Sequence, residues 1–291
     1  MSDLRGCRVP SRLGMSKRTR VILGRSIAYF LLWGGSMIMI APFLWMVSTS
    51  LKEPGAVFTY PPKWIPDPVV WRNYYDAWKA VPFHMFFLNS VIVAVAVTFG
   101  QVLTSSLAAY AFARLRFPGR DKLFLAYLGT LMVPGQVTMI PIFILLRKMG
   151  WINTYKALIL PGMFSAYGTF LLRQFFLTIP KALEDSAIID GCSRFGIYWR
   201  IILPLSKPAL ATLTTFTFIG SWNQFLWPLI VTNSMRMKTL PIGLAAFQNL
   251  YGTEWNLMMA AAVIALLPVL IVYVFNQRFF TKGIVLTGLK G

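Results

Sequence analysis

Few side chains in this 291-residue chain could do chemistry, and their arrangement excludes most kinds of it. His84 is the single histidine, so no two-histidine zinc site can be built. Cys7 and Cys192 are the only cysteines; they lack metal-ligand spacing and are too few for a disulfide framework. No Gly-x-x-x-x-Gly-Lys-Ser/Thr occurs, and the dipeptide Gly-Lys is absent, so the chain has no phosphate-cradling loop of that type. HExxH and GxSxG are missing too. Asp67, Asp76 and His84 are the only crowded acid–base candidates and form no recognisable constellation. What is left is a run of acids, Glu184, Asp185 and Asp190, three of the nine in the chain, set between two long apolar segments. The stretch is too polar to lie in lipid. Its chemistry is recognition: a structured aqueous surface at 180–208 offered to something else.

Two short helices with a sharp turn between them would present these groups. Pro180 suits a first helical turn, where its missing N–H costs nothing. Glu184 and Asp185 then lie near the positive end of the helix dipole, and Gly191 can take the left-handed conformation that ends the helix. Ser193 is placed to N-cap the second helix, where Phe195, Tyr198, Trp199 and Ile202 recur at helical spacing. Pro204 and Pro208 are expected to break that helix.

The rest of the chain reads as membrane. It is 57% hydrophobic and 13% charged, with mean hydropathy +0.63, which places it among polytopic membrane proteins of one domain. The net charge of +19 does not point to nucleic acid, because Lys and Arg are scattered between apolar segments rather than clustered with stacking aromatics. Charge-free intervals predict spans at 26–51, 85–113, 123–146, 157–172, 208–235 and 255–277. The fourth is short unless it continues through Arg173 to about 179, with Arg173 snorkelling to the headgroups. The first is too long for a signal sequence and has no small-residue cleavage site after it, so it is expected to stay. The third can also end near Gly135, leaving 137–147 along the outer surface.

Nineteen Lys and Arg fall in 1–25, 114–122, 173–207 and 278–291, and nine on the alternate side. The richer side is predicted to be cytoplasmic, together with both termini and the acidic loop. The chain thus divides into a basic N-terminal segment (1–25), a six-helix membrane domain (26–278) and a tail (279–291), glycine-punctuated and expected to fray. Outside, 52–84 is proline-rich with Trp64, Trp71, Tyr74, Tyr75 and Trp78, and reads equally as a docking surface or an interfacial cap. Interruptions such as Pro134-Gly135, Pro161-Gly162 and Pro228 are tolerated where freed backbone groups face protein or a water-filled cavity. Asn223 and Gln224, flanked by Trp222 and Trp227, are costly in hydrocarbon and are candidates to line such a cavity.

The loop resembles the EAA loop of membrane subunits of bacterial ATP-binding cassette importers. Asp185-Ser186-Ala187 stands where the family has Glu-Ala-Ala, and Gly191, Ile201, Leu203 and Pro204 fall at the family's distances. Trp222-Asn223-Gln224-Phe225-Leu226-Trp227-Pro228, Pro134-Gly135-Gln136, the stretch from Gly150 to Tyr155 and that from Phe170 to Phe176 resemble the carbohydrate-importer branch, specifically its MalG-like permease subunit. The resemblance covers roughly 26–291. It implies an all-α, type I importer (MetI-like) permease fold with six transmembrane helices in the cytoplasmic membrane. It implies no catalysis and no cofactor or metal on this chain; ATP and Mg sit on a partner ATPase dimer (MalK-like), into whose cleft the loop docks. The other implied partners are a second homologous permease subunit (MalF-like), a solute-binding protein outside and membrane lipid. The coupling residues it implies are Glu184, Asp185, Ser186, Ala187, Asp190, Gly191, Ile201, Leu203 and Pro204, with the tail reaching between the ATPase subunits. The rivals are a same-fold importer subunit for another solute, against which the segments around Trp151 and Trp222 weigh, and an integral-membrane transferase, which lacks an acidic or histidine centre.

Overall fold

In lipid, a segment must satisfy its own backbone hydrogen bonds, so the apolar intervals can only be helices. The computed structural model describes residues 17–249 and 252–287. Its helices in chain order are α1 (Lys17–Ser50), α2 (Arg72–Ala80), α3 (Phe83–Arg114), α4 (Arg120–Gly129), α5 (Gly135–Lys148), α6 (Tyr155–Ile159) and α7 (Ala166–Thr178). They continue as α8 (Ala182–Ile189), α9 (Arg194–Ile197), α10 (Leu203–Leu205), α11 (Lys207–Trp222), α12 (Leu226–Val231), α13 (Leu240–Ala245) and α14 (Trp255–Thr287). Among the described residues the only strands, β1 (Gln248–Asn249) and β2 (Gly252–Thr253), make a two-residue antiparallel ladder.

The helix α3 is the axis of the fold, packed against α7 and α11. Small residues allow this. A Cβ on Gly168 of α7 would lie 2.7 Å from Ser105 Oγ of α3, so the two backbones approach as closely as they do only because that position is glycine. Three apolar clusters follow α3. One, at its Arg114 end, includes Ala109, Tyr110, Leu172, Phe176, Tyr198 and Leu213. Another joins Phe83, Phe86 and Ala94 to Trp222 and Ala260. The third joins Val93 and Val97 to Ala157, Leu158 and Trp227. By contrast α1 packs on α14, yet none of its apolar window is buried.

The expected all-α, polytopic architecture is present, but the spans are not six straight rods. Three helices, α1, α3 and α14, are long and apolar enough to cross a bilayer unaided. Two bent pairs pass the same test of length and composition together, each as a broken span or a re-entrant segment: α4 with α5, turned by 98° after Met132, and Arg194–Leu205 with α11, turned by 78°. The third predicted interval thus breaks at Pro134, in line with its expected end near Gly135. The fourth is not one helix either. Leu160–Met163 forms a 3-10 turn between α6 and α7, and the 13 residues of α7 rise only about 20 Å, short of a bilayer core. The fifth ends at Trp222, well before 235.

Arg173 lies with its guanidinium 4.2 Å from the Phe124 ring centroid, its Nε donating to the Phe112 carbonyl at 3.3 Å and its Nη2 4.0 Å from the exposed Asp121 carboxylate. Two local expectations are also corrected. The backbone of the expected tail is helical as far as Thr287, so α14 runs ten residues past the predicted end of the sixth span; the tail's last four residues and 1–16 of the basic segment lie outside the described residues. Pro204 does not break its helix. A π turn over Tyr198–Ile202 precedes it and widens the coil beside the ring, and the sharp bend comes after Leu205 instead.

At the other end of α3, buried asparagines tie the loops down. Asn73 Nδ2 donates to the carbonyls of Ser50 (2.9 Å) and Lys52 (2.8 Å), and Asn89 Nδ2 to those of Arg236 (2.8 Å) and Lys238 (2.9 Å). Lys52 is buried with its ammonium 4.0 Å from the Trp45 ring centroid, and desolvation pulls its pKa below the usual lysine range. In the proline-rich segment Trp64 packs edge-on against Trp45 and Phe58 against Trp255, while Tyr60 and Trp71 stay exposed.

Candidate coupling loop and pathway face

The acidic loop is a helical hairpin with two chemically different faces. Glu184 and Asp185 occupy the first turn of α8, where the dipole favours negative charge. Pro180 sits just before the helix, its carbonyl accepting from Leu183 N–H. Gly191 has φ +79°, its N–H donates to the Ile188 carbonyl (3.0 Å), and Cys192 N–H donates to that of Ala187 (2.8 Å). That pair of bonds is a Schellman closure, which needs a left-handed residue at its centre. Ser193 then caps α9, its Oγ accepting from Gly196 N–H at 3.1 Å.

The inner face is clamped. Glu184, placed by its motif among residues meeting a partner, is buried, and its Oε1 lies 2.9 Å from Arg114 Nε at the end of α3. Neither atom has a hydrogen-bond partner, so this contact is electrostatic. The same guanidinium donates through Nη2 to the carbonyls of Phe176 and Ile179 at the end of α7. One arginine therefore holds α3, α7 and α8 together. Ala187, Ile197, Tyr198 and Ile202 complete the inner face, with Ile201 and Leu203 half-buried beside them. Tyr198 Oη is 2.7 Å from Ser106 Oγ, and Tyr110 Oη donates to the Arg194 carbonyl at 3.1 Å. Burial pushes the Tyr198 phenol up, with the Ser106 hydrogen bond pulling the other way. It stays a neutral hydroxyl.

On the outer face the rings of Phe195 and Trp199 lie beside Tyr198 of the same hairpin, and among the described residues Asp185 and Asp190 form no ion pair. Asp185, Ser186, Asp190, Gly191 and Pro204 are exposed. So are large apolar side chains: Ile189 is 86% exposed, Phe195 65% and Trp199 59%. The helical spacing of Phe195, Tyr198, Trp199 and Ile202 thus splits into two inward and two outward residues. Sequence reasoning missed Arg114 as an anchor and Ile189 as the most exposed apolar tip. The signal for Arg114 was its place as the first charge after a long apolar interval, facing a loop that holds a third of the acids.

The second candidate group divides differently. Trp222 and Trp227 are buried, and their indole N–H groups donate to the Ala265 (3.1 Å) and Ala157 (3.0 Å) carbonyls, joining α11 to α14 and fixing the start of α12 on α6. They are framework with an edge towards cavities, not open aromatic platforms. Asn223 and Gln224 are exposed and diverge. Asn223 borders an apolar cleft with Phe43, Met46 and Leu266. Gln224 borders two cavities of about 510 and 350 Å³ between α3, α5, α11 and the 3-10 turn before α7. Among the described residues, no three His, Cys, Asp or Glu converge as a metal site would require.

Residues 15–285 match the family described as binding-protein-dependent transport system inner membrane component. The chain is 38% identical over 263 residues to the sn-glycerol-3-phosphate transport system permease protein UgpE of Yersinia pestis, covering 88% of this chain and 93% of that protein. It is 41% identical over 206 residues to the arabinooligosaccharides transport system permease protein AraQ of Halalkalibacterium halodurans, covering 71% and 74%. A solved chain from a bacterial ABC transporter that imports the acidic polysaccharide alginate superposes with a TM-score of 0.81 at 22% identity, covering 92% of this chain and all of that one. Its likeness supports the fold.

Proposed function

Because the chain belongs to the binding-protein-dependent transport system inner membrane component family, we propose that it forms half of a carbohydrate pathway in an ATP-driven importer. In this reading the 182–205 hairpin is the surface that meets an ATPase subunit. The observation that carries it is the hairpin's asymmetry. Its inner face is fastened by Arg114 and Tyr198, while its outer face leaves Ile189, Phe195 and Trp199 in water beside Asp185 and Asp190. Apolar side chains grouped with charges on one exposed face are what a protein interface covers.

A push on that face would reach the membrane helices by two routes. Glu184 would transmit it to α3 and α7 through Arg114, and the helical run from Arg194 would transmit it through the bend after Leu205 to α11, which ends at Trp222 just before Asn223 and Gln224. Closure of the ATPases would thereby shift the residues bordering the cavities, which is the requirement for alternating access. ATP and Mg²⁺ would be held by two ATPase subunits, a second permease chain would supply the other half of the pathway, and a solute-binding protein would deliver cargo from outside. The Lys and Arg distribution supports a cytoplasmic location for the hairpin and both termini. A carbohydrate cargo is supported by the arabinooligosaccharide relative.

The test is reconstitution in liposomes with and without the partner chains. The full assembly should import a sugar only with ATP inside, and sugar-loaded binding protein should raise its ATP hydrolysis. Import by this chain alone would sink the proposal.

A further inference from the structure

Among the described residues, this chain gives the two cavities bordered by Gln224 no charged lining, although it has 28 Lys and Arg. Among the described residues no Lys, Arg, His, Asp or Glu borders either one, and Tyr167 is the only ionisable side chain in their lining. The cations gather elsewhere, as in the cleft of about 470 Å³ beside the hairpin that Arg114, Arg116, Lys181 and Arg194 border. Polar groups in the uncharged cavities are amides and hydroxyls, and several are unpaired. The side chains of Gln136 and Gln224 are exposed, and among the described residues neither has a hydrogen-bond partner. Ser221 Oγ is enclosed without one. Gln101 has committed one donor, to Thr217 Oγ1 at 2.8 Å.

Resting on the importer reading above, we propose that these cavities bind an uncharged polyhydroxyl solute, with Gln224 and Gln136 as the residues that determine its charge class. A primary amide offers two donors and one acceptor, so it can meet a sugar hydroxyl in either role. A phosphate or carboxylate accepts only. It would leave the amide oxygens unmatched and lose its hydration with no counter-charge nearby, a cost that burial imposes on any unpaired ion. Met139, Ile142, Leu158 and the Trp227 edge supply apolar wall for the C–H faces of a pyranose or furanose ring. The assignment separates this chain from what the names of two similar proteins carry, a phosphate ester and an acidic polysaccharide.

The experiment uses the complete complex in liposomes and compares three classes of probe: maltotriose and arabinotriose as neutral oligosaccharides, a uronate trisaccharide, and glycerol-3-phosphate. Uptake should be confined to the neutral class. Gln224→Ala and Gln136→Ala should each raise the KM for uptake about tenfold, as expected for one lost hydrogen bond, with an unchanged melting temperature because neither side chain is bonded within the chain. Uptake of glycerol-3-phosphate or the uronate at a rate matching the neutral probes would overturn the charge assignment while leaving the importer reading intact. An unchanged KM in both variants would overturn the site. Failure of all three probe classes in a complex that hydrolyses ATP would remove the carbohydrate reading and this proposal together.

Discussion

Around Arg114, polar side chains are matched inside the chain: the guanidinium to Glu184 and two carbonyls, Tyr198 to Ser106, Ser193 to a helix N-terminus. Around Gln224 the amide of Gln101 is paired with Thr217, but those of Gln136 and Gln224 face open cavity and, among the described residues, match nothing. The sequence marked the first region as an aqueous loop and the second as a pair of amides costly within a span, without showing which groups are matched inside the chain. Matched groups hold the fold, since removing one partner strands the other. Unmatched groups can be removed without touching the fold, and their cost is justified only by something that arrives from outside.

That contrast can be broken by substitution. The largest effect should come from Arg114→Leu, which leaves Glu184 buried without its counter-charge and costs about 3–5 kcal/mol. Unfolding in detergent reads it, and Arg114→Leu with Glu184→Leu together should recover part of the loss. Gly191→Val comes next. No atom lies within 4 Å of the position a Cβ would take, so its cost is conformational, at least about 1–2 kcal/mol for forcing an L side chain into the left-handed region. The spans should insert normally while substrate-stimulated ATP hydrolysis and transport fall; Gly191→Asn should retain most of both. Trp222→Phe should cost about 1 kcal/mol by losing its bond to the Ala265 carbonyl. Gln224→Ala should stay within about 0.5 kcal/mol of wild type, so equal destabilisation by these two would erase the distinction. Smallest of all is Asp185→Glu, a longer carboxylate on an exposed position, expected to leave transport and ATP hydrolysis unchanged.

Much of this was legible in the sequence because it rests on local rules. A glycine that must be left-handed, a serine that caps and charge-free stretches that must be helical are set by neighbours a few residues away. The breaks in the third and fourth intervals were marked by Pro134 and Pro161. Their consequences were not, because a bend of 98° depends on what α4 and α5 pack against. Pro204 shows the limit from the other side: a π turn five residues long accommodates a ring that helix rules would exclude. For the candidate residues, the direction of each side chain was the hidden quantity. Glu184 turns in and Asp185 turns out, and Asn223 and Gln224 enter different cavities, although each pair is adjacent in the chain. Arg114 and Glu184 are 70 positions apart, beyond any local signal.

The central claim is that the outer face of the hairpin meets the ATPase, and cross-linking reads it most directly. A photoreactive p-benzoylphenylalanine at Ile189, 86% exposed on the hairpin, is compared with one at Tyr60, 96% exposed at the other end of the molecule, in the reconstituted complex. Ile189 should capture the ATPase subunit, with a yield that changes on nucleotide binding, and Tyr60 should not. A complex that hydrolyses ATP but gives no ATPase adduct from Ile189, or gives one from Tyr60, would contradict the account.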